Sequence, residues 1–305
     1  MATPVGVVNT GAFTQTWSKD FDKVTLGTYR KFPTLYTKVA HTQNTTDAYI
    51  KEGQMAGLQS LQDITEGQSI PFDSPVQGNE KTVYMTKVGL GIQFTEESIE
   101  DDKTGHFRDK FAKELGNAAA NTCEIKFWDL FNSGFVTTVR TGIDSGALFA
   151  SHTLVRDGVS TYSNLGSASQ LSMSSLQAGI TNYRKLVNEA NVHVEMAPDL
   201  LIIPPDLEWK AKELMLSPYN PENANNAVNT LKGEGLSYLV VPYLTSSTAY
   251  FLVSKKDHDL RFVWRKNMKT MERDDFATGN LLKKITGRFE TFFIHWRGTY
   301  GNAGA

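Results

Sequence analysis

Side chains able to carry out acid–base or metal chemistry are few in this sequence, and they lie far apart. Six histidines are spread over the 305 residues, and only His258 has carboxylates beside it, in the run Asp257-His258-Asp259. Imidazole and carboxylate groups together can bind a metal ion or pass a proton. Because this run falls between two predicted strands in a charged stretch, we interpret it as a solvated turn. A metal or acid–base site is the alternative.

A second candidate is the acidic segment 95–102, Thr-Glu-Glu-Ser-Ile-Glu-Asp-Asp. Its carboxylates could bind a cation, but no nearby histidines complete a ligand shell. A hydroxyl at the cap position followed by carboxylates in the first turn is typical of a helix start, where the helix dipole favours negative charge. We therefore expect a helix N-terminus there.

Recurring active-site motifs are absent from the sequence. It has no phosphate loop, no His-Glu-x-x-His and no dinucleotide fingerprint. Residues 142–146, Gly-Ile-Asp-Ser-Gly, resemble the nucleophile elbow Gly-x-Ser-x-Gly only loosely, because Ser145 lies one position too late. The single cysteine, Cys123, excludes an intrachain disulfide and indicates a small core residue, with a reactive thiol as the alternative. We predict no enzyme, no cofactor and no metal, although distant residues can still assemble into an active site.

Composition narrows the class of protein. Hydrophobic residues make up 40% and charged residues 21%, the net charge is −2, and the lysines and arginines are spread along the chain. These values predict a folded protein and argue against a dedicated nucleic-acid binder. The basic stretch 261–269 is interpreted as a strand with one solvated face, with weak contact to nucleic acid as the alternative. No apolar run is long enough for a membrane span and no signal peptide is recognisable, so we expect a cytoplasmic protein.

The first half of the chain contains two segments that cannot form a core of their own. In residues 1–41, Trp17, Phe21 and Val24 recur at helical spacing, and the rest is expected to be an extended arm. Residues 42–82 are polar, with apolar side chains too scattered to pack together, which favours contact with another subunit. The candidate contact residues are Tyr49, Ile50, Leu58, Leu61, Ile64 and Phe72.

The strongest periodic patterns follow that polar segment. Residues 82–94 alternate as a strand, in which Gly89 and Gly91 permit a close backbone approach. A long helix is predicted at about 106–132, with small residues at 116–120 that let another element pack closely. Its predicted packing residues are Phe107, Phe111, Leu115, Ala119 and Ile125.

The second half of the chain predicts a compact α/β module followed by returning strands. A helix is expected at 174–188, a buried strand at 200–203, a helix capped by residues 204–206, and strands at 239–244 and 249–253. Further strands are expected at 260–265 and 281–296. A flexible tail is expected at 301–305.

This order of elements resembles the tailed-phage major capsid fold of the Hong Kong ninety-seven type, and within it the major head subunit family of Mu-like phages. The segments that carry the resemblance are residues 91–101, 147–152 and 198–214, with the strands that follow. It implies an α+β fold with an N-terminal arm at 1–41 and an extended β-hairpin loop at 42–82. It also implies a peripheral domain at 83–169 and 255–305, holding the long spine helix, and an α/β axial domain at 170–254.

The resemblance implies a major capsid protein that assembles through arms and loops. Hexamers and pentamers would form an icosahedral-type shell enclosing the phage genome, built in the host cytoplasm. The implied partners are a scaffolding protein, a portal, decoration proteins and, weakly and non-specifically, packaged DNA. Some relatives join neighbours covalently through a lysine; Lys51 and Lys81 lie in or beside the loop, and we predict no such crosslink.

Two other functions remain open. A bacterial nanocompartment shell resembles the same fold and encloses a cargo enzyme rather than a genome. An α/β enzyme would need an unrecognised site, for which the candidates are Asp206, Asp257 and His258. Removing residues 50–80 should leave a folded chain that cannot form shells if the loop serves only neighbouring subunits.

Overall fold

The protein has five α-helices and twelve strands in the part of the chain that the computed structural model describes. The described part comprises residues 10–102, 104–156, 158–222, 228–275 and 279–305. For residues 10–18 and Glu100 only the backbone is described. The helices are α1 (Thr10–Lys31), α2 (Glu96–Asp101), α3 (His106–Asn132), α4 (Met173–Arg184) and α5 (Glu208–Leu216). The strands are β1 (His41–Asn44), β2 (Tyr49–Ala56), β3 (Val76–Tyr84), β4 (Thr86–Phe94), β5 (Ser151–Thr153), β6 (Thr161–Ser163), β7 (Leu200–Ile203), β8 (Ser237–Val240), β9 (Tyr250–Val253), β10 (Leu260–Asp274), β11 (Leu281–Phe293) and β12 (Thr299–Asn302).

The first sheet has the strand order β1-β10-β11-β4 and carries α3 on one face. β1 runs parallel to β10, and the remaining pairs are antiparallel. The predicted strand at 82–94 is two strands: β3 pairs with β2, the chain turns at the buried Met85, and β4 pairs with β11. A Cβ at Gly89 would lie 2.8 Å from the Thr286 methyl carbon, so this glycine does permit a close approach between strands.

The N-terminal region is more helical than the sequence predicted. The short helix expected around residues 17–24 is present but longer than predicted: α1 covers Thr10–Lys31 and packs along α3, so the extended arm expected on either side of it is wrong within this range. Phe21 is fully buried in the shared core, and Lys283 from the first sheet is buried beneath α1, where it pairs with Glu272 and lies 3.6 Å from Asp22. Residues 10–31 are therefore part of the folded body.

The predicted small region of α3 is where α1 comes closest. A Cβ on Gly116 would lie only 2.5 Å from the carbonyl oxygen of Thr25 and 3.2 Å from the backbone nitrogen of Tyr29. Any larger residue at position 116 would force the two helices apart. Small residues at this crossing therefore set the spacing between α1 and α3.

The buried stripe of α3 is rotated relative to the predicted one. Leu115 and Ala119 are buried, but Phe107, Phe111 and Ile125 are exposed, so these three do not pack in the core of the subunit. In the first two-thirds of α3 the buried side carries Leu115 and otherwise small residues: Ala112, Gly116, Ala119, Ala120 and Cys123. Sequence periodicity favoured the large apolar residues, whereas close contact with α1 selected the small ones.

The second sheet has the order β12-β9-β7-β8 and is covered on both faces. Alternate residues of β7 enter different cores: Leu200 and Ile202 join the core around α3, and Leu201 and Ile203 join a second core with α4 and α5. Burial on both faces explains the uninterrupted apolar run that predicted this strand. The helical segment after it begins at Pro205 with Pro204 in the N-cap position, so residues 204–206 do start it, but no side chain caps it.

The last residues of the chain return to this second sheet. Residues 299–302 were grouped with the peripheral domain, yet they form β12 and pair with β9, which belongs to the predicted axial range. The predicted flexible tail is wrong at Gly301 and Asn302, which are buried. A Cβ on Gly301 would lie 2.5 Å from the Phe149 ring, so glycine there lets the strand lie flat against the core.

Two glycine substitutions on the same helix pair should have opposite effects. Gly116→Ala should lower the free energy of unfolding by roughly 1–3 kcal/mol, because the added methyl group forces α1 away from α3. Gly27→Ala, on α1, adds a methyl group that meets nothing within 4 Å. It should raise the free energy of unfolding by about 0.4–1 kcal/mol, because alanine lowers the conformational entropy of the unfolded chain. Denaturant unfolding of the unassembled chain measures both. Equal effects of the two changes would contradict the proposed close contact.

Candidate assembly site

The predicted extended loop is a two-stranded hairpin with a long irregular end. β2 and β3 are antiparallel, with Tyr49 opposite Tyr84 at the base and Ala56 opposite Val76 at the far end. The register shifts between Gly53 and Met55, which marks a bulge. Residues 57–75 join the two strands without forming helix or strand. An isolated hairpin of this kind is marginal in water, so its position depends on what holds its base.

Most of the predicted contact residues are exposed in the subunit. Leu61 and Phe72 are 101% and 99% exposed, and Tyr49, Leu58 and Ile64 are also exposed. Ile50 differs, because it packs at the hairpin base against the cluster formed by Met85, Val263, Phe292 and their neighbours. Large apolar side chains that are fully exposed on one segment mark a surface that another molecule covers.

The first attachment of the hairpin base is an ion-pair network on β10. Arg261 forms a bidentate salt bridge with Glu52 of β2: Nη1 donates to Oε1, and Nη2 donates to Oε2 at 3.1 Å. The same guanidinium lies 2.5 Å from Asp259, whose other oxygen accepts from the backbone nitrogens of Ile294 and His295 at 3.1 Å. Paired contacts of this kind fix direction as well as distance. Arg261 therefore sets the angle between the hairpin and the first sheet.

The second attachment is a buried carboxylate, Glu189. Its oxygens accept from the Gln54 side chain at 2.8 Å and from the Val155 backbone at 3.1 Å, and Arg297 lies 2.5 Å away. Burial by itself raises the pKa of Glu189, but the hydrogen bond and charge of Arg297, with the Gln54 bond, hold it below its ordinary value. The carboxylate stays ionised and ties the hairpin to two other parts of the chain.

The third attachment is Lys81 of β3. Its ammonium donates to the backbone oxygens of Thr141 and Phe293, and it lies 5.2 Å from the centre of the Phe293 ring. Burial lowers the pKa of Lys81 to about 8, against the opposing charge of Asp144. Lys81 is thus held inside its own subunit, whereas Lys51 pairs with Glu80 on the exposed hairpin surface.

The irregular end of the hairpin has one further contact with its own subunit. Arg156 donates to the Gly57 backbone oxygen at 2.9 Å and pairs with Asp73. Hydrogen bonds from the Gln59 backbone and from Arg156 lower the pKa of the Asp73 carboxylate. No local pattern predicted the attachments of the hairpin, because the residues that form them lie far apart in the sequence. Gln54 of the hairpin and its partner Glu189, for example, are separated by 135 positions along the chain.

The predicted solvated turn at 257–259 is wrong. His258 is buried and its ring lies 4.4 Å from that of His41, while its Nδ1 accepts from the Leu260 backbone at 3.0 Å. Burial and the nearby His41 lower its pKa to about 4. The neutral imidazole therefore packs at the junction between β1 and β10. The turn is buried there because it directly joins two buried strands, β9 and β10.

The three candidate residues of an enzyme site do not come together. Asp257 lies near the start of β7, where the Lys255 backbone donates to Asp199, and Asp206 follows the other end of that strand. A four-residue strand separates its ends by roughly 10 Å. Asp206 and the pair Asp257–His258 therefore lie toward opposite ends of β7.

The remaining chemical candidates have structural roles. Thr95 caps α2 by accepting from the Ser98 backbone at 3.3 Å, as predicted for the acidic segment. Ser145 lies in a turn with a positive φ of 62°, and Cys123 is buried, which raises its pKa to about 12. Within the described ranges, no three His, Cys, Asp or Glu residues gather as metal ligands, and no helix is both long and apolar enough to cross a membrane.

Comparison with known proteins decides the family. The sequence model of the family described as phage capsid protein matches residues 79–302, which is most of the chain. The chain belongs to the phage capsid protein family. No curated protein sequence matches the chain. The matched range includes α3, the whole second sheet and the first sheet except β1, so the family assignment covers most of the folded body that anchors the hairpin.

Solved phage capsid structures share the fold. The mature capsid of bacteriophage PhiM1 aligns with a TM-score of 0.60 and 10% identity, covering 100% of this chain and 92% of that one. The capsid of bacteriophage JBD30 decorated with minor capsid protein trimers aligns at 0.56 and 15% identity, covering 79% and 100%. A virus-like particle from Pyrococcus furiosus aligns at 0.54 and 10% identity, covering 93% and 98%. The expected α+β capsid fold of the Hong Kong ninety-seven type is confirmed, and the narrower Mu-like assignment stays a prediction.

Removing the buried carboxylate should weaken the whole body of the phage capsid subunit. Glu189→Ala leaves Arg297 without its ion-pair partner and frees Gln54, so we expect the free energy of unfolding to fall by about 3 kcal/mol. The matched control is Glu208→Ala, which breaks the more exposed pair with Lys212 and should cost roughly 0.5 kcal/mol or less. Denaturant unfolding measures both, and equal losses would contradict the role of Glu189 as an attachment point.

The buried ammonium predicts a pH dependence of stability in the capsid subunit. Between about pH 8 and 10.5, Lys81 is neutral in the folded chain but still protonated in the unfolded chain. The unfolded state then binds more protons, so this group makes the free energy of unfolding rise with pH in that window. The Lys81→Met variant has no titratable group at this position, so this contribution to the pH dependence is absent from it. The difference in unfolding free energy between wild type and Lys81→Met should increase from pH 8 to 10.5, and a constant difference would contradict the assignment.

Proposed function

We propose that this phage capsid protein is the major shell subunit, which forms hexamers and pentamers through the hairpin of residues 49–84. The observation that carries the proposal is the contrast within the hairpin. Its base is held to its own subunit by Arg261, Glu189 and Lys81, whereas Leu61 and Phe72 at its end are fully exposed. A rigid base with an uncovered apolar end is suited to reach a neighbouring subunit.

The proposal assigns a mechanical role to each part of the chain. The peripheral domain is built on α3 and the first sheet, and the axial domain on the second sheet with α4 and α5. Contacts through many identical hairpins let each interface stay modest while the closed shell as a whole becomes difficult to dissociate. Assembly takes place in the host cytoplasm, and the finished shell is the head of the virion.

The contents of the shell separate a virus from a nanocompartment. The family match to phage capsid proteins supports a shell that encloses a genome. The proposal adds a scaffolding protein and a portal as assembly partners, and weak contact with packaged DNA. A decoration protein is a further proposed partner, since one similar capsid is described as carrying minor capsid protein trimers. A co-purifying cargo enzyme in place of DNA would favour the nanocompartment.

A structural role without catalysis is also part of the proposal. Support comes from the separation of Asp206 from Asp257 across β7 and from the burial of His258 against His41. Two charged groups with shifted pKa values, Lys81 and Glu189, hold the hairpin in place. Catalytic sites use such groups toward a substrate, whereas here they face the protein itself.

The test of the proposed function is removal of the irregular end alone. Deleting residues 50–80 would also remove Glu52 and Gln54, which bind the body, so the better deletion replaces residues 58–74 with a short glycine linker. We expect a folded chain with cooperative thermal unfolding that forms no closed particles by electron microscopy. The hairpin strands and all three base attachments remain in this variant.

A milder pair of variants controls for the deletion. Leu61→Ser with Phe72→Ser should reduce particle yield because both side chains are fully exposed in the subunit and gain burial only in an assembly. Ile50→Ser should instead reduce the stability of the unassembled chain, since Ile50 packs on its own subunit. Closed particles formed in normal yield by the deletion variant would refute the role of the loop in assembly.

A further inference from the structure

Two imidazole rings meet where β1 joins the first sheet. His41 is the first residue of β1, and the centre of its ring lies 4.4 Å from that of His258, which is buried in the turn before β10. Within β1 only His41 is partly buried, and the other side chains of the strand are exposed. The contact between the two rings is therefore the main side-chain attachment of β1 to the body.

The rest of the attachment of β1 is backbone pairing along one edge. In the described part of the chain β1 is the outermost strand of the first sheet and pairs with β10, from His41 opposite Arg261 to Asn44 opposite Trp264. Pairing continues at Thr45, whose backbone nitrogen donates to the Trp264 backbone oxygen at 2.8 Å. A short edge strand held in this way can separate from its neighbour without opening the core behind it.

The hydrogen bond of the His258 ring requires the neutral form. Its Nδ1 accepts from the backbone nitrogen of Leu260 at 3.0 Å, so the proton of the neutral ring is on Nε2. Protonation places a second N–H on Nδ1, where it points at the N–H of Leu260. Two donors that face each other repel, and the backbone of Leu260 loses its acceptor at the start of β10.

His152 is also buried but has the opposite environment. Its Nδ1 lies 2.5 Å from a carboxylate oxygen of Asp144, so a proton on that nitrogen has an acceptor. The two buried rings therefore differ in what faces Nδ1, a carboxylate at His152 and a backbone N–H at His258. Only at His258 does protonation break a hydrogen bond of the folded chain.

The surroundings of His258 oppose its protonation. Burial and the neighbouring His41 lower the pKa of His258 to about 4. The Val39 backbone, Asp259 and Asp199 act in the opposite direction, but they do not restore the ordinary value. The ring is therefore neutral while β1 is docked near neutral pH.

The acidic groups close to the turn already have partners. Asp257 accepts from the Ser254 hydroxyl at 2.7 Å, Asp199 accepts from the backbone nitrogen of Lys255 at 2.9 Å, and Asp259 belongs to the ion-pair network at the hairpin base. The charged and titratable groups on the surrounding elements are Tyr183 after α4, Asp199 before β7, Glu52 on β2, Arg261 on β10, and His295 and Arg297 on the segment whose Gly298 packs on the turn. None of the carboxylates is thus committed to a protonated His258.

We propose that the His41–His258 pair is an acid-sensitive latch, which holds β1 on the first sheet while the rings are neutral and releases it when His258 takes up a proton. The released strand is the root of the hairpin, because β1 leads into β2 through residues 45–48. It also runs beside Arg261, which sets the direction of the hairpin. The latch goes beyond the proposed shell function and requires only the folded subunit.

The direction of the effect follows from proton binding. Between about pH 6.5 and 4, His258 is protonated once β1 is released but neutral while β1 is docked. The released state then binds more protons, so docking is fully favoured above about pH 6.5 and weakens as the pH falls toward 4. From pH 7 to pH 5 the equilibrium should shift toward release by roughly twentyfold.

Hydrogen exchange of the unassembled full-length chain measures this release. After correction for the intrinsic exchange rate at each pH, the amides of residues 41–45 should exchange roughly twentyfold faster at pH 5 than at pH 7. The amides of α3 should keep their protection, because only the edge strand leaves the sheet.

Two variants of the latch test the origin of the effect. His258→Asn removes the titrating ring but keeps an acceptor for the backbone nitrogen two residues later, so exchange of residues 41–45 should change by less than about twofold between the two pH values. His41→Phe keeps a ring against His258 and removes one charge, so its acid response should be smaller than that of wild type. The matched control, His106→Asn, changes an exposed histidine on α3 and should retain the full response.

Three results would each overturn the latch. Residues 41–45 exchange equally fast at both pH values, or protection is lost together throughout α3 because the whole subunit unfolds, or His258→Asn responds to acid as wild type does. If His258→Asn does not fold, His41→Phe decides: a reduced acid response supports the latch, and an undiminished one overturns it.

Discussion

The two sheets of the subunit form one body because the C-terminal end of α3 is buried between them. Phe127, Trp128 and Phe131 are fully buried there, and the ring of Phe131 lies 5.2 Å from that of Phe251 in the second sheet. On the other side, Tyr36 lies between Phe127 and Phe262 of the first sheet. Aromatic packing of this kind supplies large buried area with defined geometry. Every attachment of the hairpin depends on elements that this core positions.

A buried carboxylate fixes how the N-terminal region joins that core. Glu124 of α3 is fully buried and accepts from the Leu35 backbone at 2.6 Å and from the Trp128 indole at 2.7 Å. Burial raises its pKa, while these donors oppose the rise. The segment after α1 is thereby held against α3 just before β1 enters the first sheet. Backbone donors that would be costly to bury alone are satisfied by one side chain.

The hairpin shows how a subunit can be stable alone and still incomplete. Charged groups hold its base, since Arg261, Glu189 and Lys81 each bind the hairpin to the folded body. Its far end has apolar side chains that the described part of the subunit leaves uncovered. Ionic contacts have strict geometry and give the hairpin a direction, whereas the exposed apolar end gains free energy only when it is covered. Under the proposed function, this division separates folding from assembly.

Some of this structure was predictable from local patterns. The bounds of α3 matched because residues 106–132 carry a long helical pattern ended by Asn-Ser-Gly, and β7 matched because a strand buried on both faces must be continuously apolar. The face that α3 buries was not predictable, since large residues such as Phe107 and Ile125 gave the stronger periodic signal. The burial of His258 was not predictable either, because its charged neighbours Asp257 and Asp259 indicate an exposed turn. The ring is buried because the strands before and after this turn both belong to the core.

By itself the sequence determined the α+β class, most of the order of elements, the helix start at Thr95 and a polar segment whose apolar side chains are too scattered to form a core. These follow from residue spacing and composition within short windows. Only the tertiary structure decided that α1 packs on Gly116, that β12 joins the second sheet, and that Glu189 meets Gln54 and Arg297. Lys87, Arg288 and Lys266, which lie side by side, likewise come from three separate strands, β4, β11 and β10. Contacts between residues far apart in the chain leave no local pattern, because the register that joins them is set by the packed core.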